Sequence, residues 1–237
     1  MGKPDKYDNN QEPSSDLLIF FPISDFLIPI FHFFGFLPNH ITYLSIFSTL
    51  VSIYLYRINN MYSYLFYFLG YLFDAMDGRM ARKYSQTSIF GMMLDLVSDN
   101  LTNLPLLLIL LEKSLISYFE NWYIGVIKLI ILSSLLFFVF AFSVFFGMNE
   151  ALDSYNDVKN SNFYLYKKEL VKKSLYYDSN ISKVYLFINK TSYQSYCLFF
   201  NPINESNKLY IKELANNYRE LGSGNLNLYA IFVMFLI

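Results

Sequence analysis

The chain has 237 residues and a formal net charge of −1; 54% of its residues are hydrophobic and only 16% are charged. Soluble domains usually carry about 25% charged residues, so this composition excludes an ordinary soluble domain and favours a protein embedded in a bilayer. The near-neutral charge argues against nucleic acid as a partner, and the single cysteine, Cys197, excludes an internal disulfide and a multi-cysteine metal site.

Two segments precede the main apolar part of the chain. Residues 1–16 form a polar tail without the features of a secretory signal. Residues 17–37 are apolar, but Asp25 lies in the middle and Pro22 and Pro29 interrupt the run. Because a proline inside a helix costs about 3 kcal/mol, we predict an amphipathic helix at the membrane interface here rather than a span.

Residues 38–147 hold four apolar stretches that approach or reach the roughly 20 residues needed for a helical span. They are Ile41–Tyr56, Tyr62–Phe73 continuing as a helix to about Lys83, Ile89–Leu111 and Trp122–Phe146. We therefore predict an all-α integral membrane protein, a helical bundle with four clear spans in its transmembrane core.

The last third of the chain changes character. Residues 148–224 are rich in Lys, Glu, Asn, Ser and Tyr, and we predict a polar cytosolic insertion in which Phe163–Tyr177 and Ile181–Phe199 form amphipathic helices. Apolar sequence resumes over residues 225–237, which are too few to cross a bilayer and predict the start of a further helix, an incomplete C-terminal span.

Basic residues predict the orientation. Arg79, Arg82 and Lys83 follow the second span, whereas the turns after the first and third spans carry only Arg57 and Lys113. Because cytoplasmic loops carry the excess of Lys and Arg, we expect the N-terminal tail and the turn between the second and third spans to face the cytosol.

Four aspartates lie in or at the ends of the second and third spans, where a carboxylate is costly and needs a partner or a function. Asp74 and Asp77 are spaced i,i+3 and share one helix face, and Asp95 and Asp99 are spaced i,i+4. A short turn at Tyr84–Thr87 makes the two helices antiparallel neighbours, so all four carboxylates can converge near the cytosolic surface.

Four converging carboxylates cannot all stay ionised without compensation, which divalent cations supply. Ligation by oxygen alone favours Mg²⁺ or Mn²⁺ over zinc, which prefers Cys and His. Two such ions about 4 Å apart can hold both sides of a phosphoryl displacement.

Small residues accompany the aspartates: Gly78 and Ala81 follow the second one, and Gly91 precedes the third by one turn. Such residues either serve only close helix packing or also leave room for a base or a diphosphate. Arg82 is either a juxtamembrane anchor or a ligand for a phosphate oxygen.

The two helices together carry a long motif. It resembles the signature of the CDP-alcohol phosphatidyltransferases at every fixed position and spacing: Asp74-Ala-Met-Asp77-Gly78-Arg-Met-Ala81-Arg82, eight residues, then Gly91-Met-Met-Leu-Asp95-Leu-Val-Ser-Asp99. A match of this length is far more specific than a lone short motif.

The resemblance assigns roles by position. It implies that the four aspartates hold two Mg²⁺ or Mn²⁺ ions and that Asp99 also takes the proton from the attacking hydroxyl. It implies contacts to the CDP-linked lipid from five positions: Gly78, Ala81, Arg82, Ser88 and Gly91. The run Pro38-Asn39-His40-Ile41-Thr42 resembles the family's opening of its first helix, where nucleotide contacts also occur.

Within the family, Gln86 and the run 90–96 most resemble phosphatidylinositol synthases. The resemblance therefore implies CDP-diacylglycerol as donor, myo-inositol as the small alcohol, an active site facing the cytosol, the endoplasmic reticulum as location in a eukaryote, and a homodimer. Arg79-Met80 stands where that branch usually has His-Ala, and the family generally has six spans, so the identity of the acceptor stays open.

Three other functions remain as alternatives. One is an aminoalcohol or glycerol-phosphate transferase of the same family, although Leu96-Val97-Ser98 replaces the His-Gly-Cys run usual in the choline and ethanolamine branch. Another is a catalytically inactive membrane scaffold, which the intact motif disfavours. The third is a cation transporter that uses the aspartates as an ion path, but the Asp-Gly spacing and the adjacent Arg79 and Arg82 fit a diphosphate better.

Overall fold

The structure, a computed structural model, describes residues 12–159, 208–217, 220 and 223–237. In this part of the chain all regular secondary structure is helical. A π-helical turn, Asp16–Phe20, leads into α1, and the α-helices are α1 (Phe21–Phe33), α2 (Pro38–Arg57), α3 (Tyr62–Lys83), α4 (Ile89–Glu120), α5 (Trp122–Lys159), α6 (Lys208–Asn217) and α7 (Ser223–Leu236). The predicted all-α class is confirmed, while the predicted helices Phe163–Tyr177 and Ile181–Phe199 lie outside the described residues.

Helices α2 and α3 are the most closely packed pair among the described helices, and small polar residues make this close packing possible. The face of α2 that meets α3 carries buried Ser45, Thr49 and Ser52. The Ser52 hydroxyl donates to the carbonyl oxygen of Ser63 at 2.7 Å. A Cβ atom at Gly70 would collide with Thr49 Oγ1, so glycine is needed there for the two backbones to approach.

Helices α4 and α5 run antiparallel through a turn at Asn121, and α7 packs against α3 and α5. Tyr56, Leu110, Leu132 and Val233 belong to the largest buried apolar cluster, which lies at the end of the bundle where α2 and α4 finish. An ion pair between Arg57 and Glu112, 3.5 Å long and largely exposed, joins the same two helix ends. The opposite end, where α3 finishes and α2 and α4 begin, holds the residues of the aspartate motif.

Among the described residues, three helical segments are long and apolar enough to cross a membrane: Asp16–Phe33, Val97–Glu120 and Trp122–Ala141. Helices α2 and α3 fall outside this group because their polar residues lower the hydropathy. Much of that polarity is buried at the interface of the pair, so it is not presented to lipid. The protein is an integral membrane protein, and the predicted set of four spans stays a prediction.

Helix α1 runs alongside the second half of α3, in the same direction. Phe20 packs edge-on against Tyr71 with ring centroids 4.6 Å apart, and His32 stacks on Tyr84 at 3.7 Å. Asp25, which interrupts the apolar sequence of α1, accepts two hydrogen bonds from the buried Arg79, at 2.8 and 2.9 Å. The placement of this segment at the membrane interface stays a prediction.

A buried carboxylate fixes the beginning of α7. Asp16, 1% exposed, accepts a hydrogen bond from the Tyr71 hydroxyl at 2.9 Å and one from the backbone N–H of Gly224 at 3.2 Å. A Cβ at Gly224 would collide with Asp16 Oδ1, so a side chain is sterically excluded. A carboxylate at a helix N-terminus is also favoured by the helix dipole, so Asp16 ties α7 to α3.

The contact at Gly70 predicts a sharp steric effect. We expect Gly70→Val to lower the free energy of unfolding by about 1–3 kcal/mol, because the added side chain forces α2 and α3 apart. Thermal unfolding of the detergent-purified protein measures the effect, and Leu65→Val, at a 52% exposed position on the same helix, is the matched control. Equal melting temperatures for the two variants would contradict the close-packing role.

Candidate active site

Three of the predicted carboxylates converge between α3 and α4. Carboxylate oxygens of Asp74, Asp77 and Asp95 all lie within 4.8 Å of one another. Asp77 is buried and Asp74 half-buried, whereas Asp95 is exposed. The convergence arises as predicted, because the short turn after α3 makes α4 its antiparallel neighbour and brings the two acidic faces together.

Asp99 lies one turn beyond Asp95 on α4 and is not part of this close group of three. Its side chain is exposed and, together with Asp74, lines a small cavity that is open to the outside. The structure thus places Asp99 beside the carboxylate group, at the boundary between that group and the cavity. Its roles as metal ligand and as base stay predictions.

Thr42, on the first turn of α2, is a part of the site to which the sequence assigned no role of its own. Its hydroxyl donates to Oδ2 of Asp77 and also lies 3.3 Å from the carbonyl oxygen of Pro38. Pro38 occupies the first position of α2, where its fixed φ favours the start of a helix. The signal available in the sequence was the resemblance of residues 38–42 to the opening of the family's first helix. In the structure, a hydrogen bond from this segment orients the Asp77 carboxylate.

Gly78, Ala81 and Arg82 occupy the last two turns of α3, beyond Asp77. The Arg82 guanidinium folds back one turn, so that a Cβ at Gly78 would lie 3.2 Å from Arg82 Nη1. Glycine at this position gives the arginine its space on the helix surface. The structure therefore places these three motif residues side by side, and their contacts with a CDP-linked lipid stay predictions.

Ser88 and Gly91 shape the start of α4. The Ser88 hydroxyl is the helix N-cap and accepts the backbone N–H of Gly91 at 3.0 Å. A Cβ at Gly91 would lie 3.1 Å from Ser88 Oγ and 3.2 Å from Asn39 Oδ1, so glycine admits the first turn of α2. Capping and packing are thus observed for these residues, while their predicted lipid contacts stay untested.

Arg79 has a different role from the one expected. The sequence placed it with Arg82 as support for a diphosphate site, but its guanidinium is buried, pairs with Asp25 of α1 and lies 4.1 Å over the ring of Phe21. A guanidinium held in this way serves to dock α1 on α3. The expectation that Arg79 contributes to a diphosphate site was therefore wrong, because a distant acidic residue on α1 supplies its partner.

The cavity next to Asp74 and Asp99 is predominantly polar. Its walls come from α2, α3, α4 and α7, and they carry hydroxyl groups from Ser45, Thr49, Ser98 and Thr102. Two amide side chains, Asn103 and Asn227, complete the polar lining. No motif or spacing indicates that residue 227, far along the chain, lies at this site.

The arrangement of carboxylates fits divalent metal ions. Oxygen ligands of one Mg²⁺ sit at about 2.0–2.1 Å from the ion, hence roughly 3–4 Å from one another, and the three carboxylates need only small side-chain adjustments to meet that spacing. The donor set is entirely oxygen, and the Thr42 hydroxyl supports one ligand from behind. The residues present therefore fit the predicted Mg²⁺ or Mn²⁺.

Comparison with known proteins agrees with this geometry. A family model described as CDP-alcohol phosphatidyltransferase matches residues 35–152, which run from the turn before α2 through most of α5. This chain belongs to that family. No solved structure matches the chain.

Curated relatives share one activity by name. CDP-diacylglycerol–inositol 3-phosphatidyltransferase 1 of Arabidopsis thaliana is 27% identical over 154 residues, covering 65% of this chain and 61% of the relative. The CDP-diacylglycerol–inositol 3-phosphatidyltransferase of Homo sapiens is 36% identical over 80 residues, covering 34% and 38%. The one of Schizosaccharomyces pombe is 39% identical over 64 residues, 27% of each chain. The chain thus spans less than two thirds of the length of each of these relatives.

The hydrogen bond between Thr42 and Asp77 predicts an effect on metal affinity. We expect Thr42→Val to weaken Mn²⁺ binding roughly ten- to a hundredfold, because groups that support a ligand from behind commonly contribute that much. Electron paramagnetic resonance of Mn²⁺ titrated into the purified protein gives the affinity. Thr42→Ser keeps the hydroxyl and serves as control; equal Mn²⁺ affinity of the Val and Ser variants would exclude the supporting role.

Proposed function

We propose that this protein transfers the phosphatidyl group of CDP-diacylglycerol to myo-inositol and releases CMP. The observation that carries the proposal is the group of three carboxylates, within 4.8 Å of one another, directly beside a polar cavity that Asp99 lines. Family membership supports the transfer chemistry, and the names of the relatives support the donor and the acceptor.

In this proposal Asp74, Asp77 and Asp95, with Asp99 beside them on α4, would hold two Mg²⁺ or Mn²⁺ ions. The bound ions would neutralise the diphosphate and stabilise the CMP that leaves. Thr42 keeps one Asp77 oxygen in place, so this carboxylate loses little conformational freedom when it binds. A donor whose diphosphate is bound at this carboxylate group would present its phosphorus atom next to the cavity, because Asp74 belongs to both.

Asp99 acts as the general base. Its carboxylate lines the cavity in which an alcohol would approach the donor. Asp99 accepts the proton of the attacking hydroxyl, the oxygen forms a bond to the phosphatidyl phosphorus, and the bond from that phosphorus to CMP breaks. An alcohol is a poor nucleophile at neutral pH, and a positioned base typically contributes about 10²–10⁴-fold to the rate.

The donor's nucleotide would lie across the end of α3 and the start of α4. Arg82, whose guanidinium lies over Gly78, supplies a cation for a phosphate oxygen there, and Gly91 adds no side chain that would obstruct the nucleotide. The acyl chains would stay in lipid beside the apolar outer faces of the helices. We further propose that this end of the bundle faces the cytosol and that the protein acts as a homodimer.

A panel of acceptors tests the proposal. Membranes containing the chain are supplied with CDP-diacylglycerol and Mg²⁺ or Mn²⁺, and CMP release is measured with inositol, serine, ethanolamine, glycerol 3-phosphate or no acceptor. Release with inositol alone is the expected result. Preference for an aminoalcohol or for glycerol 3-phosphate would change the proposed acceptor and keep the proposed chemistry. If no acceptor leads to CMP release, the proposed activity is overturned and a scaffold is favoured.

Replacement of the proposed base gives a direct prediction. We expect Asp99→Asn to lower kcat by at least about 10²-fold without loss of folded protein, since the amide keeps the size and removes the proton acceptor. Glu112→Gln makes the same chemical change on the same helix, at the exposed ion pair with Arg57, and should leave kcat unchanged. Near-normal turnover of Asp99→Asn would contradict the role of Asp99 as the general base.

Removal of divalent ions gives a second prediction. We expect a strong chelator to abolish CMP release and added Mg²⁺ or Mn²⁺ to restore it, because the carboxylate oxygens of Asp74, Asp77 and Asp95 lie close enough together to share metal ions. The same chelator saturated with Mg²⁺ beforehand is the control for effects unrelated to metal. Activity that persists at full chelation would show that the carboxylates work without metal.

A further inference from the structure

We propose that the end of the bundle opposite the aspartates binds the phosphate group of an anionic phospholipid, at a site formed by Lys113 of α4 and Lys128 of α5. Both lysines lie inside segments that are long and apolar enough to cross a membrane, Val97–Glu120 and Trp122–Ala141. A lysine within a membrane span is costly, so it calls for a partner. The site is independent of the proposed transfer reaction, which we place at the other end of the bundle.

The hairpin of α4 and α5 brings the two lysines together. A Cβ atom at Gly125 would collide with the Cα atom of Tyr118, so the two helices are in close contact at this level. Because the helices are antiparallel, Lys128, three residues after Gly125, lies level with Leu115, three residues before Tyr118. Lys113 is two residues from this level along α4. The two side chains therefore start at nearly the same height on adjacent helices.

The contacts of the two ammonium groups agree with this register. Lys128 Nζ donates to the hydroxyl oxygen of Ser117 at 2.9 Å, and Ser117 lies one turn after Lys113 on the same face of α4. Lys113 Nζ donates to Oδ1 of Asn59, in the turn between α2 and α3, and lies 4.1 Å from the centre of the Tyr56 ring. Both ammonium groups thus lie on one face of α4.

These contacts leave the lysines without an acidic partner. Lys128 has one further acceptor, the backbone carbonyl oxygen of Ile237 at 2.8 Å. Within the part of the chain that the structure describes, neither ammonium forms an ion pair with an aspartate or glutamate. Glu112, which precedes Lys113, pairs instead with Arg57 at 3.5 Å. Since an ammonium has three protons, each lysine keeps one for an acceptor from outside the chain.

The depth of the lysines favours a lipid as the source of that acceptor. The ion pair between Arg57 and Glu112 marks where α2 ends beside α4, and α4 continues for eight more residues, about 12 Å. The tip of the hairpin beyond this point exposes more than half of Phe119, Trp122 and Tyr123. Trp and Tyr favour the membrane–water interface, a layer about 5–8 Å thick. The lysines lie six residues inward from the tip, about 9 Å, and hence at the inner boundary of this layer. Lipid headgroups, rather than bulk water, offer acceptors there.

Charge decides which lipid fits. A phosphate oxygen would accept charge-assisted hydrogen bonds from the two lysines, and such bonds are roughly twice as strong as neutral ones. The choline group of phosphatidylcholine would bring a third positive charge close to them, which is unfavourable at short range. Phosphatidylglycerol brings no such charge, and basic pockets between membrane helices hold anionic headgroups of this kind. The acyl chains would continue inward along α4, where Leu108 and Leu111 are exposed.

The test uses the full chain purified in detergent, with dioleoylphosphatidylglycerol and dioleoylphosphatidylcholine as probes. Native mass spectrometry measures the affinity for each lipid in the wild-type protein and in the variants Lys113→Gln and Lys128→Gln. Lys212→Gln is the matched control, because it makes the same chemical change at an exposed position on α6. Thermal unfolding of each variant checks that the protein is folded.

We expect the wild-type protein to bind phosphatidylglycerol more tightly than phosphatidylcholine. Lys113→Gln and Lys128→Gln should each weaken the binding of phosphatidylglycerol roughly ten- to a hundredfold, the range for one hydrogen bond to a charged group. The affinity for phosphatidylcholine should change little in either variant. Lys212→Gln should retain the preference of the wild type.

A measurement on the wild-type protein covers the case in which a glutamine variant does not fold. Neither probe lipid contains an amine, so an amine-reactive acetylating reagent labels only the protein. Phosphatidylglycerol should protect Lys113 and Lys128 from acetylation and leave Lys212 as reactive as before, whereas phosphatidylcholine should protect none of the three. Peptide mass spectrometry gives the extent of labelling at each lysine.

Three results would overturn the proposal. The first is equal affinity of the wild-type protein for the two lipids. The second is a preference for phosphatidylglycerol that both glutamine variants retain, or that Lys212→Gln loses to the same extent, since the charge would then act from elsewhere. The third is acetylation of Lys113 and Lys128 that phosphatidylglycerol does not alter. None of these measurements depends on CMP release, so failure of the proposed reaction and failure of the lipid site are distinguishable.

Discussion

Charged side chains inside an apolar helical bundle need partners, and this constraint organises the molecule. Asp25 of α1 compensates the buried Arg79, and the buried Asp16 is compensated by a tyrosine hydroxyl and by the N-terminus of α7. Each compensation joins two helices that are distant in sequence. The only close carboxylate group found among the described residues, at Asp74, Asp77 and Asp95, is the one that suits an external cation.

Close packing of α2 on α3 also determines the position of a carboxylate in the active site. Because Gly70 and the small residues of α2 let the two backbones approach, the first turn of α2 comes within hydrogen-bonding distance of Asp77. The same closeness brings Asn39 against Gly91 at the start of α4. Three helices therefore meet at one point, and a change at their interface would displace the Asp77 carboxylate.

The aspartates and the polar cavity divide the proposed chemistry between two regions of the fold. The carboxylates belong to a local motif on two consecutive helices, which is why their convergence can be predicted without a structure. The cavity is assembled from four helices, one of them α7. The carboxylate group is thus encoded in a short segment, whereas the lining of the cavity is distributed over the chain.

The sequence alone determined the helical membrane class, the pairing of α3 with α4 and the convergence of Asp74, Asp77 and Asp95, because helix periodicity and a short turn fix which faces meet. Only the tertiary structure decided that Arg79 docks α1, that Thr42 donates a hydrogen bond to Asp77 and that residue 227 lines the cavity. The physical reason is the same for all three: a hydrogen-bond partner on a distant helix is chosen by packing, which no local pattern records.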